Sequence, residues 1–177
     1  GHVLFLWHTF HGTAEGGNDN TCAELVNGNN SSTCGDYVTD TQEDAYRHVV
    51  WSSFLAKYYY TVSSKSKRLR FSEAIGNANE TCGDNDEDGK YMDFHNNRVG
   101  RKLFNDNCSY RKAPFLWWTI NYGLNVPYES TLMNKAETLV KNGRFINPAT
   151  YTTPESRVNQ INRTSNSQVV YISTLKN

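Results

Sequence analysis

The stretch from Glu43 to Tyr60 constrains the fold more than any other part of the chain, because it has few helix breakers and many apolar residues. Asp40 or Thr41 can cap it by accepting a backbone N–H of the first turn. Within it Tyr46, Val49, Val50, Phe54 and Lys57 recur at three- and four-residue spacing, and Asp44, Arg47, His48, Trp51 and Leu55 form a neighbouring stripe. Such spacing packs one face of a helix and leaves polar groups beside it. Further helices are expected at about Leu69 to Glu80, weakened by Gly76, at about Met92 to Phe104, and from a Ser130 cap to Asn142, stopped by Gly143. Basic, polar Ser63 to Arg70 leads into the second of these. Pro114 opens an aromatic segment, Phe115 to Tyr122, and Val169, Val170, Tyr171 and Ile172 suggest one strand near the end of the chain. The expected fold is mainly α, a compact domain of about five helices with long disulfide-pinned loops and a short C-terminal strand.

A chain of 177 residues is close to the size of one domain. Residues 1–177 therefore read as a single unit with a loop-rich part over 12–40 and a motif-bearing helical core over 40–105. Its 18 basic and 18 acidic residues cancel, leaving no global positive field for phosphate, so nucleic acid is not the expected partner. Apolar runs are short, such as Val3 to Trp7, whereas a membrane-spanning helix needs about 20 consecutive apolar residues. A soluble chain without a transmembrane segment is expected. It begins Gly1-His2 with no initiator methionine, as a processed or excised piece would.

Gly12 to Asp40 is dense in Gly, Asn, Ser and Thr and reads as a long loop. Cys22, Cys34, Cys82 and Cys108 each sit in turn-like sequence, which favours disulfides and an oxidising compartment. The preferred pairs are Cys22 with Cys34 and Cys82 with Cys108, each enclosing a local excursion. The alternatives are free buried thiols or a zinc site, although no C-x-x-C pair exists. Sequons at Asn30, Asn79 and Asn162 arise readily in an Asn-rich chain and identify no source.

Three places could carry chemistry. Asp44 and His48 are four residues apart on one helix, flanked by Arg47 and Trp51, so the carboxylate can orient and charge the imidazole as in general-base catalysis. The bland reading is an ordinary surface pair. In Met92 to Arg101, Asp93, Asn96, Asn97, Gly100 and Arg101 cluster on one side, opposite Met92, His95, Val99 and Leu103. By that pattern His95 is either a site residue or a core histidine bonded to a carbonyl, and Gly100 lets another helix approach. Third, Asp84-Asn85-Asp86-Glu87-Asp88-Gly89 matches the opening of a calcium loop. Position twelve is His95 instead of Glu, so Asp84, Asp86 and Asp88 would need Asp93 to complete a Ca2+ site. An acidic turn before a helix N-terminus accounts for the same residues.

Asp44-Ala45-Tyr46-Arg47-His48-Val49-Val50-Trp51, then Ala78-Asn79-Glu80, then Met92-Asp93-Phe94-His95-Asn96-Asn97-Arg98-Val99-Gly100-Arg101 occur in that order. The series resembles an uncharacterised bacterial domain family with the pattern D-A-F-R-H-x-x-W, A-H-E and M-D-L-H-N-N-x-V-G-R. Members occur in secreted proteins and at the C-termini of polymorphic-toxin-like proteins. The match covers about residues 40 to 105, roughly a third of the chain, and departs at Asn79, where the family has His. The resemblance implies that the motifs converge, with Asp44, Arg47, His48, Glu80, Asp93, His95, Asn96 and Arg101 around one polar pocket.

Such a pocket suits a hydrolase. His48, oriented by Asp44 or Glu80, would activate water, Arg47 or Arg101 would stabilise negative charge, and Asn96 would position the substrate. A metal-assisted version would use His48, Glu80, Asp93 and His95. HNN here lies in a helical pattern and does not make an HNH nuclease. The expected function is a secreted antibacterial effector acting in the periplasm, cell envelope or extracellular space on an envelope substrate, with a cognate immunity protein as partner. The competing class is a non-enzymatic toxin or binding module that engages an envelope protein. For it, Trp117, Trp118, Tyr122 and Tyr128 are candidate contacts, and core packing is their structural alternative.

Overall fold

Thr41 starts the first helix as the sequence leads one to expect. Its extended backbone, φ −93° and ψ 177°, turns its hydroxyl towards the amide of Asp44, and Glu43 and Asp44 fill the first turn where the helix dipole favours acids. In this computed structural model, which describes residues 40–59, 64–82, 86–115 and 118–172, the helix runs over Gln42–Tyr58 and is here α1. Before it, Asp40 adopts φ 65°, a left-handed conformation that Asp tolerates better than most residues. That turn lets its N–H reach Asp44 Oδ2 at 2.8 Å and its carbonyl accept the N–H of Ile172 at 2.9 Å.

Helix α2, Lys65–Cys82, begins earlier than its apolar pattern suggests. Arg68 explains the extra turn. Its guanidinium is buried and donates to the carbonyls of Lys57 and Ala56 at 2.6 and 3.3 Å, satisfying carbonyls at the end of α1. Helix α3, Glu87–Asn107, lies across both. At Gly100 a Cβ would stand 2.3 Å from the carbonyl oxygen of Val49, so only glycine permits this approach to α1. Val49, Val50, Phe54, Val99, Leu103 and Phe104 form the centre of the core, with Leu132, Ala136 and Val140 of α4, Glu129–Lys141, packed on it.

After α3 the chain forms an antiparallel hairpin, β1 Ser109–Phe115 and β2 Trp118–Asn125, with Ser109 opposite Asn125 and an irregularity between Arg111 and Lys112. The aromatic segment opened by Pro114 thus falls in an element absent from the expected fold. Pro114 is compatible with it because a two-stranded sheet has only edge strands. Strand β3, Arg144–Phe145, pairs in parallel with β4, Val170–Tyr171, and between them lies α5, Pro154–Asn162. Met92, Ile146, Ile161, Val170 and Ile172 make a second apolar cluster there.

The described residues are mainly helical, with five helices, and the expected C-terminal strand is present as two residues. Ser130 is not the cap of α4. The helix starts at Glu129 with Tyr128 at the cap position and no side-chain cap bond. The expected Cys82–Cys108 bridge is not formed. Cys82 is exposed at the end of α2 and Cys108 is buried in the core after α3, both as free thiols, and burial pushes the Cys108 thiol up. Cys22 and Cys34 lie outside the described residues. No helix among the described residues is long and apolar enough to cross a membrane.

Candidate functional site

Four-residue spacing on three helices builds one polar cluster. Asp44, His48 and Ser52 lie along α1, Gly76 and Glu80 along α2, and Asp93, Asn97 and Arg101 along α3. Such stripes lie nearly in line on a helix surface, so three packed helices bring them together. His48 is at the centre. Its Nε2 faces Asp93 Oδ1 at 3.1 Å and Asp44 Oδ1 at 3.4 Å. Its Nδ1 faces Asn97 Oδ1 at 3.3 Å and Glu80 Oε1 at 3.5 Å. All three carboxylates are buried, whereas the imidazole keeps 15% of its side-chain surface exposed.

Asn97 fixes the ring's orientation. Its amide nitrogen donates to Glu80 Oε1 at 2.9 Å, and its carbonyl oxygen accepts from Ser52 Oγ at 2.7 Å. Glu80 requires a donor, so the oxygen of Asn97 must be the atom turned to His48, and Nδ1 is the protonated nitrogen. Asn79, the departure from the family pattern, donates to the same Glu80 oxygen at 3.3 Å.

The electrostatics follow from crowding three acids around one base. Burial works to lower the imidazole's pKa, but Asp93, Asp44 and Glu80 outweigh it and raise it to about 9. Burial also pushes Asp44 up, yet the hydrogen bond and charge of His48, the Arg47 guanidinium and the Asp40 amide bring it down to about 2. Asp93 goes the other way. Burial, with Asp44, Glu80 and Asp40 nearby, lifts it to about 8 against the pull of His48. Arg47 Nη2 donates to Asp44 Oδ1 at 2.6 Å. Arg101 reaches Glu73 at 3.7 Å, and its buried Nη1 has no hydrogen-bond partner among the described residues. A Cβ at Gly76 would touch Asn97 Nδ2 at 3.6 Å and Arg101 Nη1 at 3.7 Å, placing these two groups side by side.

Of the residues expected in the pocket, Asp44, Arg47, His48, Glu80 and Asp93 come together, with Arg101 at their edge. His95 and Asn96 do not. His95 is buried and bonds through Nε2 to the carbonyl of Gln168 at 2.8 Å, the core-histidine alternative. Asn96 donates to the Val170 carbonyl at 2.9 Å and accepts the Val170 N–H at 3.1 Å, so it clamps β4, fully buried. Ser52 was missed, and Asn97, named on the polar side of its helix, was left out of the pocket set; each is four positions from a residue chosen for it.

The acidic series before α3 disperses. Glu87–Gly89 is already helical, and a Cβ at Gly89 would press on Asp40, so this glycine serves helix packing and makes no calcium-loop turn. Asp88 pairs with Arg157, Asp86 is exposed at the head of α3, Asp93 faces His48, and Asp84 lies outside the described residues. A different set could hold a cation, since one ligand atom each from Asp44, His48 and Asp93 lie within 4.8 Å of one another.

Exposed aromatics lie on β2 and at the cap position of α4. Trp118 is 51% exposed, Tyr122 61% and Tyr128 80%, so the core-packing alternative fails for these three, and Trp117 lies outside the described residues. Comparison with curated proteins finds no match. Comparison with family models does find one. It spans residues 2–121, which include α1, α2, α3 and the greater part of the hairpin, and so the chain belongs to the family described as domain of unknown function DUF6973.

Proposed function

We propose that this domain is a hydrolase working through His48. The observation that carries the reading is an imidazole held by oxygens of three buried acids from three helices while part of its surface stays open. Environments that drive neighbouring carboxylates apart mark acid and base roles. Asp44 stays ionised and holds positive charge on the ring, whereas Asp93 takes up and releases a proton near neutral pH. At pH 7 His48 carries its extra proton and Asp93, lifted to about 8, is mostly protonated as well, so His48 begins as the acid and becomes a base for water only after it has given that proton to the substrate. Arg47 Nε and Arg101 Nη1, both buried and without a hydrogen-bond partner among the described residues, are the donors for developing negative charge. Asn97, not Asn96, orients the ring.

The setting we propose is export, as an antibacterial effector acting in the periplasm or envelope and neutralised by a cognate immunity protein. It rests on the resemblance to secreted, toxin-like proteins; the free thiols of Cys82 and Cys108 lend it nothing. The test is expression of wild type and His48→Ala with and without a periplasmic signal in a susceptible bacterium, with circular dichroism on both proteins. Killing by the exported wild type alone supports an envelope hydrolase and directs a lipid, peptidoglycan and protein substrate screen. Equal killing by folded His48→Ala would sink it.

One observation favours a second reading, a binding module. Exposed Trp118 and Tyr122 on β2 are residue types that anchor protein interfaces. If binding is the activity, Trp118→Ser with Tyr122→Ser abolishes killing while His48→Ala leaves it intact.

A further inference from the structure

The tautomer fixed by Asn97 has a consequence at the other ring nitrogen. With the proton on Nδ1, a neutral His48 turns the lone pair of Nε2 towards two carboxylate oxygens. Three electron-rich atoms converging in a buried space require a cation among them, and only a proton or a metal ion is small enough. Direction separates the two. A single N–H on Nε2 can point at only one oxygen, so a proton there serves Asp93 at 3.1 Å and leaves Asp44 Oδ1 at 3.4 Å unserved, whereas a metal ion binds all three atoms. In a tetrahedral site with bonds of about 2.0–2.2 Å, donor atoms stand roughly 3.4 Å apart. The observed separations from Nε2 are 3.1 and 3.4 Å, the spacing of co-ligands.

We infer that Asp44, His48 Nε2 and Asp93 form the protein side of a mononuclear site for a first-row transition-metal dication. This deepens the hydrolase reading and rests on it for the metal's purpose; with Nε2 on the metal, His48 is a ligand in place of the acid–base group, and activation of water falls to the ion. One nitrogen and two oxygens suit zinc better than calcium or magnesium, which take oxygen ligands. Three protein ligands leave a fourth position for water or substrate, as catalytic sites do and closed structural sites do not. The surroundings have the features such a site needs. Nδ1–H is directed by Glu80 and Asn97, the acid–imidazole relay that orients a ligating histidine. Asp44 is held through Oδ2 by the Asp40 amide, and Arg47 donates to Oδ1, the oxygen that faces His48. Thus Glu80 belongs to the orienting shell, and His95, bonded to Gln168, lies outside the site.

The test is titration of chelator-treated full-length protein with Zn2+ against a chromophoric competitor, for wild type, Asp93→Asn and His48→Gln, with circular dichroism confirming the fold of each. One Zn2+ per chain in wild type, weakened at least about 100-fold in both folded variants, supports the site. No competition by wild type, or equal binding by folded Asp93→Asn, overturns it. Should a variant not fold, X-ray absorption on zinc-loaded wild type decides: one imidazole with oxygen donors at about 2.0–2.2 Å supports the site, and a spectrum without imidazole overturns it. The hydrolase reading is judged apart from this. Killing that requires His48 but is unaffected in protein that binds no zinc removes the metal and keeps the enzyme.

Discussion

The two faces of α3 solve the same problem in opposite ways. Both bury polar side chains from one short sequence, Asp93-Phe94-His95-Asn96-Asn97. On one face His95 and Asn96 bond to the backbone of Gln168 and Val170, neutral groups with fixed directions. On the other, Asp93 and Asn97 meet charged side chains, and the balance depends on where protons or cations sit. A backbone clamp stabilises a fold. A cluster of charged side chains costs stability unless something else is present, and that is the behaviour expected of a working site.

The largest expected effect is on the clamp. Asn96→Ala would leave both the N–H and the carbonyl of Val170 without the partners that Asn96 supplies, at about 1–3 kcal/mol each, so a loss of about 2–6 kcal/mol is expected in urea unfolding. Hydrogen exchange at the Val170 amide should accelerate with it. A loss under about 0.5 kcal/mol would show that the two faces do not differ in this way.

The two histidines should respond to pH with opposite signs. For His48 the folded pKa, about 9, exceeds the ordinary 6.5, so the native state holds the extra proton. Its contribution is fully present below pH 6.5 and is lost as pH rises through about 9, an effect on the order of 3 kcal/mol. His95 is lowered by burial, so its neutral form is the stable one. Its contribution is present above pH 6.5 and is lost as pH falls through the depressed value. In chelator-treated protein, imidazole NMR at pH 7.4 should find His48 charged and His95 neutral. Stability measured across pH 6.5 to 9 should decline in wild type and less steeply in His48→Gln, where Asp93, raised to about 8, still contributes a decline over the lower part of the window. A neutral His48 at that pH in metal-free protein would remove the basis for the contrast.

These differences explain what the sequence could and could not disclose. Helix α1 was legible because its apolar stripe and its Thr41 cap are local, and α3 from its apolar stripe, although it starts at Glu87, before Met92; the convergence of Asp44, His48, Glu80 and Asp93 was implied by the resemblance that the order of three motifs carries. The choice between Asn96 and Asn97 was not legible. Both lie within one turn of Asp93, and only β4, 74 residues away in sequence from Asn96, takes one of them for a backbone clamp. The hairpin was missed because Pro114 reads as a helix start, while Trp118, Ile120 and Tyr122 alternate as strand residues do. Helix α5 was missed in a polar tail, although Thr153 followed by Pro154 and Glu155 is a start signal, and Thr153 does accept the amide of Ser156. The false Cys82–Cys108 pairing came from turn-like neighbours, a local cue with no information on where two helix ends meet.

The smallest effect is the most discriminating. Removing one member of a buried ion pair usually costs several kcal/mol, because it strands the other charge. Asp93→Asn should escape that cost, since His48 retains Asp44 and Glu80 at 3.4 and 3.5 Å. The substitution also removes an acid that burial, with its acidic neighbours, lifts to about 8, and with it part of the repulsion in the cluster. In chelator-treated protein at pH 8, unfolding stability should therefore stay within about 1 kcal/mol of wild type or rise, while killing activity falls to the level of His48→Ala. A clamp residue such as Asn96 shows the reverse, a clear loss of stability with activity per folded molecule retained. If Asp93→Asn instead destabilised the fold by as much as Asn96→Ala, Asp93 would be a structural partner of His48, and the two faces of α3 would differ only in the atoms they use.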